Sequence, residues 1–173
     1  MTIVVSPLIA LMQDQVKSLK ARGLNAQAIY SGMSYREIDI LLDNAVYGGV
    51  DFLYVSPERL QTRLFIERLK KMQVGLLVVD EAHCISEWGH DFRPAYKEIA
   101  KVRAIHPETP IIALTATATK RVQEDIKIQL VLKHPQVFQG PFARKNISFK
   151  VLRTQDKLGR VLDYCQKIRI QPA

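Results

Sequence analysis

Long apolar runs are missing from this sequence. No stretch approaches the roughly 20 consecutive apolar residues that a membrane-crossing helix requires, which excludes a helical transmembrane protein. Cysteine is scarce as well: Cys84 and Cys165 are the only two, too few for a disulfide framework, so a reducing, cytoplasmic setting is expected. The opening Met-Thr-Ile-Val-Val-Ser-Pro has no basic head of the kind that begins a signal peptide. Lysine follows none of the eight glycines, so the Gly-x-x-x-x-Gly-Lys-Ser/Thr loop that commonly cradles a triphosphate is not in the chain. Repeats and low-complexity segments are lacking too. What is present is ordinary for one domain with a core: 173 residues, 47% hydrophobic and 24% charged, which argues against disorder. Acids are outnumbered, 17 against 25 Lys plus Arg, and the net charge of +8 invites a polyanion. That excess is uneven, with +6 from Phe142 onward and only +2 in the first 141 residues.

Short apolar runs alternate with longer amphipathic ones. Thr2-Ile-Val-Val5 is β-branched and lacks polar alternation, which predicts a strand buried on both faces. Ala26–Tyr30, Phe52–Val55, Leu76–Val79 and Ile111–Leu114 read the same way, and Gln136–Gln139 and Ile147–Leu152 as further short strands. Ser6-Pro7 and Ser56-Pro57 each read as an N-cap followed by a first-position proline, and Ser34-Tyr-Arg-Glu37 as a capping box. Helices are also expected from Pro94 to Ile105, from Thr119 to Leu130 and from about Gln155. This alternation predicts βαβ units, hence a mostly parallel α/β sheet with helices on both faces. The one candidate boundary is the Gly/Pro turn at Gly140-Pro141, which divides 1–141 from 142–173.

In open parallel sheets ligands bind beyond the carboxyl ends of the strands. The residues there are Ser6-Pro7, Ser56-Pro57-Glu58-Arg59, Asp80-Glu81-Ala82-His83 and Thr115-Ala116-Thr117. Asp80 and Glu81 end the most apolar strand. They are either two solvated acids or a pair that holds a cation, one through water and the other as a base toward an attacking water. Trp88, Phe92 and Tyr96, with Arg93, follow in a glycine-containing stretch. They either plug the core or offer stacking faces for nucleobases. Cys84 reads as a small buried apolar residue, since no second Cys/His cluster stands at zinc-ligand spacing.

Four segments carry a resemblance: Val-Val-Ser-Pro-Leu-Ile-Ala-Leu-Met-Gln-Asp-Gln-Val (4–16), Val-Ser-Pro-Glu-Arg-Leu (55–60), the run Val-Val-Asp-Glu-Ala-His-Cys-Ile-Ser-Glu-Trp-Gly-His-Asp-Phe-Arg-Pro-Ala-Tyr (78–96), and Ala-Leu-Thr-Ala-Thr-Ala-Thr (113–119). In that order they resemble motifs Ia, Ib, II with its aromatic-rich loop, and III of the RecQ family of DNA helicases. The Asp-Glu-Ala-His box alone is shared by several superfamily 2 helicases, whereas the run through Trp88 and Tyr96 is specific. It disfavours an RNA helicase of the DEAD-box kind.

The resemblance implies a RecA-like fold of the P-loop NTPase type, lacking the first strand and phosphate loop, and ATP with Mg²⁺ as cofactors. It implies Asp80 as the Mg²⁺ residue, through water, and Glu81 as general base beside the same ion. His83, Thr115 and Thr117 would couple the nucleotide to DNA, while Ser6, Pro7, Pro57 and Arg59 would touch a single strand. Trp88, His90, Phe92 and Arg93 would form the DNA-sensing loop. The expected partners are single-stranded DNA, duplex junctions and the remaining lobe regions of a parent helicase, with no membrane. The expected place is the cytoplasm, at the nucleoid in a bacterium. One departure is Phe142-Ala-Arg-Lys-Asn146, where the family usually has Arg-Pro-Asn. The chain is therefore expected to be most of a first motor lobe (1–141) plus the link toward a second (142–173), part of a 3′–5′ helicase and inactive alone. A competing reading is a non-catalytic module that binds DNA or a partner.

Overall fold

The computed structural model describes residues 1–140, 146–147 and 151–169. Five strands form one parallel sheet: β1 (Thr2–Val5), β2 (Ala26–Ile29), β3 (Phe52–Val55), β4 (Leu76–Val79) and β5 (Ile111–Ala113), in the order β2-β3-β1-β4-β5. Between them run α1 (Ile9–Ala21), α2 (Tyr35–Tyr47), α3 (Arg63–Leu69) and α4 (Ile99–Ile105), with α5 (Lys120–Gln129) after β5. The period-two pleat sorts the strand residues onto two faces. Ile3, Val5, Leu53, Val55, Leu77 and Val79 face one side, where Leu42 of α2, Phe65 and Leu69 of α3, Ile99 and Val102 of α4 and Val122 and Ile126 of α5 complete the main core. Val4, Tyr54 and Val78 face the other, where Met12, Val16 and Leu19 of α1 cover them. Helices on both faces of a parallel sheet are the expected α/β architecture, and the strands lie where their apolar runs placed them.

Three helix starts differ from expectation. Ser6 caps nothing; α1 begins three residues later at Ile9, with Leu8 at the cap position and no side-chain cap bond. The hydroxyl of Ser6 is directed inward to Asp80 (3.0 Å), and its N–H continues the ladder to the Val55 carbonyl (3.2 Å). Ser56 makes no cap bond either; Pro57–Gln61 is a 3₁₀ turn, and Thr62, extended at ψ 137°, resets the chain before α3. Pro94–Glu98 is likewise a 3₁₀ turn that leads into α4. Where the cap partners are local, the caps form: Ser34 and Glu37 bond reciprocally, and the Thr119 hydroxyl accepts the Val122 N–H.

Residues 1–135 form one compact unit and 136–173 a second. In the second, α6 (Lys157–Arg169) starts where the Asp156 carboxylate accepts the Gly159 N–H at 2.9 Å. Gln136–Gln139 is not a strand: no neighbouring strand pairs with it among the described residues. Half of the strand expected over 147–152 lies outside the described residues, as does most of the Phe142–Asn146 departure. Among the described residues no helix is long and apolar enough to cross a membrane.

Candidate functional site

Strand register builds the site's frame. Val5 pairs with both Val55 and Val79, Ile29 with Val55, and Ala113 with Val79. All five strands therefore end at one level, and Tyr30, Ser56, Ser6, Asp80 and Leu114 leave the sheet side by side along a single rim.

Asp80 is the most tightly held of them. Its Oδ2 accepts the Ser6 hydroxyl (3.0 Å) and its Oδ1 the Glu81 N–H (2.9 Å). Its carbonyl accepts the Tyr96 hydroxyl (2.9 Å), and its N–H donates to the Val5 carbonyl (2.9 Å). A carboxylate offers about four acceptor positions. Two are used to aim it, and the others are free for a hydrated divalent cation. The residue thus fits the Mg²⁺ that its motif implies.

Glu81 turns the chain sharply. It sits in the left-handed region (φ 48°, ψ 43°), which costs a non-glycine residue about 1–2 kcal/mol. The turn is held because the next N–H, that of Ala82, donates to the Leu114 carbonyl just past β5 (2.8 Å). From this backbone the Glu81 carboxylate reaches Nδ1 of His83 at 3.2 Å. The same Nδ1 lies 3.0 Å from the Thr115 hydroxyl, which in turn accepts the Thr117 N–H (3.3 Å). His83 is 5% exposed. It joins the acidic turn to the Thr115–Thr117 segment, so three of the residues expected to act together are in direct contact.

The loop that follows faces outward at its middle. Trp88 is 60% exposed and His90 is exposed, its ring stacked on His83 with centroids 4.4 Å apart and planes 13° from parallel. Phe92 is half-buried, with the Lys97 ammonium 5.2 Å from its centroid. Arg93 donates from Nε and Nη2 to Asp91 (3.2 and 3.0 Å) and from Nη1 to the Pro7 carbonyl (3.5 Å), tying the loop to the exit of β1. Of the two roles open to the loop's aromatics, Tyr96 takes the core: it is fully buried, beneath the acidic turn rather than at the surface.

The residues expected to touch a single strand differ in how far their side chains are offered. Ser6 and Pro57 are buried, the first committed to Asp80, so neither side chain is offered to a backbone phosphate. Pro7 is half-buried, and so is Arg59, whose Nη2 donates to the Tyr30 carbonyl (3.2 Å).

Three further residues belong to the site, two of them outside every sequence motif. Arg121 and Asp125, on α5, contact the loop from more than 30 positions away, and no local pattern points from them to it. The Asp125 carboxylate accepts the Ser86 hydroxyl (2.7 Å), and the Arg121 guanidinium lies 3.2 Å from the Trp88 ring centroid. Gly89 is the third. A Cβ there would lie 2.6 Å from the His83 carbonyl oxygen and 3.1 Å from that of Ser86, so only glycine lets the loop close. Its position beside the tryptophan is the one hint the sequence offers.

His83, Cys84 and Asp91 bring their ligand atoms within 4.8 Å of one another. The Asp91 carboxylate is already bonded to Arg93, and the Cys84 thiol is pushed up to about 11 by burial and by Asp91, so the thiol keeps its proton at neutral pH and the trio is no ready thiolate site. The raised thiol has a consequence for stability. Above pH 9 the unfolded thiol ionises while the folded one keeps its proton until about 11, so stability falls as pH rises through that window. Guanidinium midpoints should drop between pH 9 and 11, and Cys84→Ala should lessen the drop; an unchanged pH dependence in that variant refutes the assignment.

The DEAD/DEAH box helicase profile matches residues 1–126. The chain is 44% identical over 169 residues to the ATP-dependent DNA helicase RecQ of Bacillus subtilis, covering 97% of this chain and 29% of that one. It is 41% identical over 173 residues to the probable ATP-dependent DNA helicase RecS of the same organism, covering 98% and 34%, and 39% identical over 168 residues to the helicase SGS1 of Saccharomyces cerevisiae, covering 94% and 12%. Among solved structures the helicase domain of Pyrococcus furiosus Hef superposes with a TM-score of 0.56 at 21% identity, over 77% of this chain and 27% of that one. The chain therefore spans about a third or less of the length of these relatives.

Proposed function

Because this chain belongs to the DEAD/DEAH box helicase family, we propose that it is the working core of one lobe of an ATP-dependent DNA helicase of the RecQ type. In this reading residues 1–141 belong to the first motor lobe and 142–173 lead toward the second. The observation that carries it is continuity. The Asp80–Glu81 pair, His83, Thr115 and the exposed loop around Trp88 form one chain of contacts from the candidate nucleotide rim to a stacking surface. Asp80 and Glu81 would hold Mg²⁺ beside a triphosphate, where the ion neutralises charge on the phosphates. Glu81 would then accept the proton of an attacking water, with His83 holding its carboxylate in place. Trp88 would stack on a base of a single strand and Arg93 would face its phosphates, so strand occupancy reaches His83 through the loop that His90 stacks upon it. The parent enzyme would move 3′ to 5′ along one strand and open duplex junctions.

A non-catalytic module is the weaker reading. A strained left-handed glutamate, buttressed by Tyr96 and by the Ala82–Leu114 bond, has little use where nothing is hydrolysed. The 173 residues themselves hold no Gly-Lys phosphate loop, so on their own they are expected to turn over no ATP.

A graft tests the proposal. The chain replaces the matching segment of Bacillus subtilis RecQ, to which it is 44% identical. ATP turnover stimulated by single-stranded DNA is the expected result. A graft that melts cooperatively yet shows no such stimulation sinks the reading.

A further inference from the structure

Two contacts link α5 to the aromatic loop, and neither involves the nucleotide rim. Arg121 and Asp125 stand four residues apart, hence on one face of the helix. Asp125 accepts the hydroxyl of the fully buried Ser86, and the same hydroxyl oxygen accepts the Trp88 N–H (3.2 Å). Arg121 lays its guanidinium against the indole at 3.2 Å. One contact therefore anchors the backbone beneath Trp88 and the other its ring. Trp88 nevertheless keeps 60% of its surface exposed, more than a ring covered on both faces could keep.

We infer that Arg121 and Asp125 form a two-point clamp by which α5 fixes the plane of Trp88, so that the ring's uncovered face is set in advance to receive a nucleobase. The inference rests on the DNA reading above and adds to it the pair that positions the stacking residue. An indole free to rotate would lose rotamer entropy when a base stacks on it; one already backed by a planar cation has lost it beforehand. Arginine suits the task because a guanidinium stacks flat on a ring, whereas a lysine ammonium is a point charge. Since α5 begins directly after the Thr115–Thr119 segment, a shift there would also move the stacking ring. Both are positioning residues: neither touches the nucleotide rim.

Trp88 is the single tryptophan of the chain, so its emission reports the clamp without labelling. Binding of oligothymidylate and of an abasic strand of equal length is compared for the unaltered chain and for Arg121→Ala, Arg121→Lys and Asp125→Ala. The ratio of the two affinities isolates base stacking from charge. In Arg121→Ala the ratio should fall about two- to fivefold, and acrylamide quenching of Trp88 should rise. Arg121→Lys should recover affinity for the abasic strand but not the ratio. Asp125→Ala should lower the ratio with charge changed in the opposite sense. An unchanged ratio in both alanine variants overturns the clamp while leaving DNA stacking intact; a ratio that rises in Arg121→Ala overturns it too, because the guanidinium would then compete with the base. If the unaltered chain does not distinguish thymidylate from the abasic strand, the stacking reading itself falls and the clamp with it.

Discussion

Glu81→Gln, introduced into the graft with RecQ, is expected to lower DNA-stimulated ATP turnover by about a hundred- to ten-thousandfold, the range lost when a general base is removed. Folding stability should hardly change, and both effects follow from the geometry. Glutamine is isosteric, tolerates the left-handed backbone no better and no worse, and can still accept a hydrogen bond from His83 through its amide oxygen. What it cannot do is take a proton. Glu81→Gly separates the two roles further: it should abolish turnover as well, yet raise stability by about 1 kcal/mol, because glycine adopts φ 48° without the Cβ penalty. Steady-state turnover and denaturant midpoints on the same preparations check both variants. Turnover retained in Glu81→Gln would remove Glu81 from the mechanism.

The largest expected effect on stability is at Tyr96. Its ring is wholly buried, packed in the main core, and its hydroxyl donates to the Asp80 carbonyl at 2.9 Å. Tyr96→Ala should cost about 3–5 kcal/mol, the range for truncating a buried aromatic, against a total that for a domain is usually about 5–15 kcal/mol. Tyr96→Phe keeps the packing and removes one hydrogen bond, leaving the part-buried Asp80 carbonyl short of a donor, for about 1–2 kcal/mol. The phenol bears on the site as well. It pins the peptide that joins Asp80 to the strained Glu81, so in the graft Tyr96→Phe should lower turnover out of proportion to its stability loss. Guanidinium unfolding followed by circular dichroism measures the first effect and turnover the second. Equal stability of Tyr96→Phe and the unaltered chain would show that the bond carries no load.

Most of the sheet is legible in the amino-acid sequence. The strands are short, mostly apolar runs with no competing helical period, and residues of β1, β3 and β4 enter the core on both faces as such runs predict. The order of acidic pair, histidine and threonines is legible too, because each stands directly after a strand. The departures share one cause. Ser6 and Ser56 look like local caps, but Ser6 spends its hydroxyl on Asp80, 74 positions away, a tertiary contact that local pattern does not encode. Tyr96 has the same composition signal as Trp88, and only the packing of the main core decides that one is buried and the other exposed. Gln136–Gln139 reads as a short strand around Val137 and Phe138, yet a short apolar run without a neighbouring edge makes none. Arg121 and Asp125 are hidden for a related reason: on the sequence they are an ordinary pair of charges on a helix.

The shared level of the five strand ends also determines where the chain can change length. Residues added at the opposite edge, between a helix and the strand that follows it, lengthen one loop and leave every rim position in place. A single residue gained or lost inside β1, β3 or β4 would shift the following rim position by about 3.3 Å and turn the core-facing set outward. In β4 such a change would part Asp80 from Ser6 and Tyr96 together. Tolerance to insertion is thus mapped in advance by hydrogen-bond register: loops such as the turn at Gly48-Gly49 are open to it, and the four-residue strands beside Asp80 are closed.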